Sequence, residues 1–134
     1  MDAQLFQSTA ESLLDELPVR FREVMENVVI VIEDFASVEV LSSMRASSPY
    51  ELLGLYEGWP ITEREAVDSG TLPDMIHLYR KPILAMWQES GQSIESCIHD
   101  VLIHEIGHHF GFSDAQMDAI EAEDDREAYR EQRS

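Results

Sequence analysis

Ser93–Asp114 reads SIESCIHDVLIHEIGHHFGFSD, and the rest of the chain is understood from this stretch. Ser93 suits a helix N-cap, and Glu95 puts negative charge into the first turn. Ile94, Cys97, Ile98, Val101, Leu102, Ile103 and Ile106 cover much of the helix circumference, which predicts a buried helix with its histidines at the floor of a cleft. His104 and His108 are four residues apart, so both imidazoles leave one face and can hold one metal ion. Glu105 is turned about 100° from His104, within reach of a water on that metal but not itself a direct ligand. H-E-x-x-H thus supplies two neutral nitrogen ligands for zinc and a general base.

Gly111 stands three residues after His108, where a helix that ends and reverses needs a residue able to take positive φ. The chain can then fold back so that Asp114 gives a third, oxygen ligand and leaves the fourth position of a tetrahedral zinc open, as in catalytic sites. Ser113 can also cap a last helix carrying Ala115, Met117, Ile120 and Ala122, with Asp114 in its first turn. That use of Asp114 competes with metal binding, and Asp118, Glu121 and Glu123 are the alternative third ligands. Gly107 in mid-helix points to close approach of a neighbouring backbone beside His108. His99 and His109 point away from the His104/His108 face and read as non-ligands; Asp100 reads as a surface acid, or as an acceptor for His104.

At 134 residues, with 44% apolar, the chain is expected to be a single domain over 1–134, with an acidic flexible tail from about residue 123. Nine basic against 27 acidic residues give a net charge of −18. Such a chain repels nucleic acid and anionic membranes and favours basic partners, although solubility alone is a sufficient reason for the charge. Cys97 is the single cysteine, which excludes an internal disulfide and suits a buried thiol. The N-terminus lacks the basic-then-apolar pattern of a secretory signal, and no apolar run approaches the ~20 residues of a membrane helix. A cytoplasmic protein is the expectation.

Elsewhere, Leu13, Leu14, Leu17, Phe21, Val24 and Met25 recur at helical spacing over Thr9–Met25, with Pro18 kinking the helix or starting a second one. Val28–Ile32 is β-branched and apolar on both faces, which predicts the central strand. Ser37–Tyr50 reads as a loop with at most a short helix. Leu52–Glu57 is a second strand, at an edge, in which Gly54 marks a bulge or the close approach of another backbone. Residues 61–71 read as a connection with a helical turn, and Asp74–Arg80 as a third strand with His77 facing the surface. Arg80 and Lys81 are expected to pair with neighbouring acids. Pro82 suits the first turn of a helix that ends at Ser90-Gly91. The sum is an α+β fold with a small, mostly three-stranded sheet and helices packed on it.

HEIGHHFGFSD resembles the H-E-x-x-H-x-x-G-x-x-[HD] site of the metzincin metallopeptidases, in the variant with aspartate as third ligand. With DMIHLYRKPI and LLGLYEG, the chain from about Leu13 to Glu121 resembles the small bacterial zincin-like metallopeptidases, or minimal zincins. The resemblance implies one zinc ion held by His104, His108 and Asp114, Glu105 as the base, and a peptide or protein substrate. It also implies that an edge strand, here Leu52–Glu57, pairs with extended substrate. Tyr56, Tyr79 and Tyr129 are the candidates for stabilising an oxyanion, the first two also suiting plain packing and the last a tail. Two other functions fit the same residues: a zinc-binding regulatory or interaction module with little turnover, and a hydrolase of non-peptide amides or esters.

Overall fold

Asp74–Tyr79 (β3) is the strand on which the sheet is built. The structure is a computed structural model that describes residues 1–23, 27–58, 73–113 and 115–122. Within it β3 lies between Val28–Glu33 (β1), which it pairs in parallel, and Gly54–Glu57 (β2), which it pairs antiparallel. The register aligns Ile30 with Ile76 and Tyr56 with Ile76, so one face of the sheet carries Ile30, Ile32, Tyr56, Ile76 and Leu78 toward the helices. Among the described residues β1 is therefore an edge strand, contrary to the expectation of a central one. A continuous apolar run reports that both faces avoid water, whereas a strand's place in the sheet is set by backbone hydrogen bonds that side chains do not encode. Only Ile30 of β1 is fully buried, and Val29 is 45% exposed.

The central strand carries polar residues because each finds a partner within the sheet. The Tyr56 hydroxyl donates to Asp74 Oδ2 at 2.7 Å in the buried layer. On the opposite face His77 stands between Glu33 and Glu57, its Nδ1 2.7 Å from one carboxylate and its Nε2 2.8 Å from the other, so one imidazole joins all three strands. The expectation of a surface-facing His77 is thus refined to a half-buried bridge.

The helices begin earlier than apolar spacing alone indicates. The first, Ala3–Asp15 (α1), starts where Asp2 accepts a hydrogen bond from the Leu5 N–H at 2.8 Å. Pro18 opens a second, Val19–Glu23 (α2), by accepting from the Phe21 N–H; Val24 and Met25 lie outside the described residues. Val38–Ser43 (α3), capped by Ser37, and a 3-10 turn at Pro49–Glu51 supply the short helix allowed for in the Ser-rich stretch. Arg80–Ser90 (α4) holds Pro82 in its first turn and ends at Gly91, whose φ is +72°. Arg80 joins Asp34 at 2.9 Å, the structural pairing expected of it, while Lys81 lies over the Phe35 ring.

Ile94–His109 (α5) closes the core against α1, β2 and α4. Cys97, Ile98, Leu102 and Ile106 are fully buried there with Phe6, Phe21 and Ile76. Burial of each large aliphatic group contributes roughly 1.5–3 kcal/mol. Cys97 is a buried free thiol, as expected. A last helical segment occupies residues 115–122; the expected tail and the 61–71 connection lie outside the described residues. No helix among the described residues is long and apolar enough to cross a membrane. The molecule is an α+β fold with a three-stranded mixed sheet and helices packed on it.

Candidate metal centre

The site is laid out along the water-facing stripe of α5. Ser93 caps the helix by accepting from the Ser96 N–H at 3.1 Å, as its sequence position implies. Asp100, His104 and His108 then fall at successive four-residue steps. The Nδ1–H of His104 donates to the main-chain carbonyl of Asp100, one turn back, at 2.7 Å. This bond fixes the tautomer and leaves Nε2 as the basic nitrogen, the state a metal ligand requires. The acceptor is thus the Asp100 carbonyl; its carboxylate instead lies 3.7 Å from His99. The rings of His104 and His108 are 5.9 Å apart at 76°.

Both imidazoles are exposed, which corrects the expectation of a cleft floor. The apolar residues of α5 do face the core, but they leave a narrow stripe uncovered and the histidines occupy it. A groove does adjoin His104: Leu53, Met86 and Val101 line it with His104 and Glu105, enclosing about 360 Å³.

Glu105 is half-buried between that groove and β2. Gly54 makes the fit possible, since a Cβ there would stand 2.9 Å from the His77 carbonyl oxygen and 3.2 Å from Glu105 Cγ. Of the two expectations for Gly54, close approach is the one observed. Burial pushes the Glu105 carboxyl up from its usual 4.5 to about 7, against a smaller downward pull from His104. A carboxyl held near neutrality can both take and return a proton at physiological pH.

The helix ends as Gly111 implies. At φ +80° it lets the Phe112 N–H reach the Gly107 carbonyl at 2.8 Å and its own N–H reach His108. Phe112 then packs edge-on to Phe21. Ser113 and Gln116 cap the next segment reciprocally: the Gln116 N–H donates to Ser113 Oγ, and the Ser113 N–H to Gln116 Oε1. Gly107 is approached by the Met117 side chain, not by a backbone as expected.

Asp114 lies outside the described residues, as does Glu123. Of the alternatives, Asp118 is exposed, and Glu121 has a carboxylate oxygen 3.9 Å from His99. Among the described residues no three His, Cys, Asp or Glu side chains form a group that could hold a metal ion. The Glu33–His77–Glu57 cluster does not serve, because its carboxylates meet opposite ring nitrogens and cannot converge on one ion. His109 stacks on Tyr56 with ring centroids 4.1 Å apart. Tyr56 is committed to Asp74, Tyr79 is 2% exposed within the fold, and Tyr129 lies outside the described residues. Sequence reasoning missed Leu53 and Met86 as site neighbours; their apolarity signalled burial, and only tertiary packing brings them to Glu105.

Residues 25–124 match the zincin-like metallopeptidase family. The chain belongs to that family. That family is one of zinc-dependent metallopeptidases. The fold is similar to that of a conserved hypothetical protein from Thermus thermophilus, at a TM-score of 0.51 and 22% identity over 82% of this chain and 94% of that one. No curated protein matches the chain. In a zincin-like protein the donor set on α5, an imidazole with its Nδ1 tied back and a second one a turn later, fits the zinc that the family uses.

Proposed function

We propose that this zincin-like protein hydrolyses peptide bonds, with one zinc ion held by His104, His108 and Asp114 in the manner of the metzincin site and with Glu105 as general base. Zinc bound there supplies a Lewis acid that polarises the scissile carbonyl and makes water a stronger acid. Glu105 takes a proton from the attacking water and returns it to the nitrogen of the departing amine, which leaves neutral. His104 is kept in the ligating tautomer by the Asp100 carbonyl throughout. Leu53 and Val101 dry the side of Glu105 that faces the groove. The observation that carries this reading is one turn of α5: it presents a pre-oriented His104 to solvent while its neighbour Glu105 is withdrawn against Gly54.

Elemental analysis of wild type, His104→Ala, His108→Ala and Asp114→Ala, with a casein or mixed-peptide hydrolysis assay of wild type and Glu105→Gln, tests it. About one zinc per chain is expected in wild type, strongly reduced in each ligand variant. Glu105→Gln should keep its zinc and lose hydrolysis by about 10²–10⁴-fold. Zinc without turnover that depends on Glu105 would make the chain a zinc-binding module, and no zinc under metal-replete conditions would remove the site.

A further inference from the structure

The groove beside Glu105 does not stop there. A second cavity of about 480 Å³ shares Leu53 and Met86 with it and continues between the 3-10 turn and α4 to Tyr50, Pro82 and Ala85. The two cavities adjoin at these apolar side chains, Leu53 and Met86, to form a trough. Besides Glu105, three acidic residues line it: Asp100 on α5, Glu89 on α4, and Glu51 on the 3-10 turn. Glu51 is held in place by the Ser47 N–H at 2.6 Å. Among the described residues no lysine or arginine lines either cavity.

We propose that this trough binds a polypeptide segment in which an apolar side chain is flanked by lysine or arginine. Each cavity lies within the dimensions of ligand sites, about 300–1,000 Å³, and two that adjoin suit successive side chains of one polypeptide. A side chain of leucine size set between Leu53 and Met86 would leave water, and its neighbours along the chain would pass the carboxylates in turn. Paired charges at an exposed rim add selectivity and a faster encounter more than raw affinity. The proposal rests on the peptidase reading only for the step after binding, since Glu105 stands at one end of the trough.

The test is fluorescence anisotropy of Glu105→Gln incubated with equimolar zinc. Its probes are two fluorescein-labelled octapeptides with a central leucine, flanked by lysines in one and by glutamates in the other. The lysine peptide should bind about tenfold more tightly at low salt, a difference that shrinks as salt screens the rim. Asp100→Asn with Glu89→Gln should cut the preference to about threefold, the Asp100 carbonyl that holds His104 being kept. Met86→Ala should weaken both peptides alike. Glu16→Gln with Glu23→Gln, which line neither cavity, should leave the preference intact. Equal binding of the two peptides would overturn the proposal, and so would a preference eroded equally by the Glu16/Glu23 pair, which would mark it as general surface acidity. Trough-dependent binding by a chain whose zinc-loaded wild type cleaves neither peptide would sink the peptidase reading and leave the trough. General hydrolysis with no trough-dependent binding would do the reverse.

Discussion

Glu105 and Gly54 come from elements far apart in sequence, yet neither position can be understood without the other. A methyl group on Gly54 would press on the His77 carbonyl and on Glu105 Cγ at once. Gly54→Ala should therefore destabilise the fold by about 1–3 kcal/mol in denaturant unfolding, and the backbone side of the clash has no rotamer by which to escape. Tyr79 gives a second residue-level signal. Burial, followed by the charges of Glu33, Glu105 and Glu57, pushes its phenol from 10.0 up to about 12. In ultraviolet titrations of wild type and Tyr79→Phe, the difference between the two curves should place the ionisation of Tyr79 near pH 12 instead of 10. Since the native state keeps a proton that the unfolded chain releases, stability should fall as pH rises from 10 toward 12. That His104 and His108 share one face of a helix could be read from spacing, because helix geometry turns a four-residue interval into a shared face. The acceptor that orients His104 could not, because it is a main-chain carbonyl, and every residue has one.

At the level of elements, α5 and the helical segment at 115–122 meet through a single missing side chain. Gly107 gives up helix propensity so that Met117, 2% exposed, can lie against the turn that bears His108. Gly107→Ala should raise helix propensity yet destabilise by about 1–3 kcal/mol, measured as a fall in denaturation midpoint. Combining it with Met117→Ala should cost less than the sum of the two single changes, the sign of a shared contact. The caps were legible where side chains perform them, as at Ser93, and where φ demands glycine, as at Gly111. Strand order was not. VVIVIE reads as central for its apolarity, yet DMIHLY holds that place, its Asp and His meeting partners, Tyr56, Glu33 and Glu57, that other strands supply.

For the whole molecule, a net charge of −18 over 134 residues means that the fold is held together against its own repulsion. Raising sodium chloride from about 0.02 to 0.5 M should increase the melting temperature by a few degrees, as the screening length shortens below typical charge separations. Composition made that charge plain, whereas the trough it borders was invisible until three elements closed around Leu53 and Met86. The arrangement of the sheet also has a bearing on time. Strands β1 and β2 never pair with each other; both wait for β3, which follows them in the chain, and α5, which covers their apolar face, follows β3 in turn. A chain leaving the ribosome at about 5–20 residues per second therefore exposes VVIVIE for several seconds before its partner emerges. During synthesis, this protein depends longest on whatever shelters a bare β-branched strand.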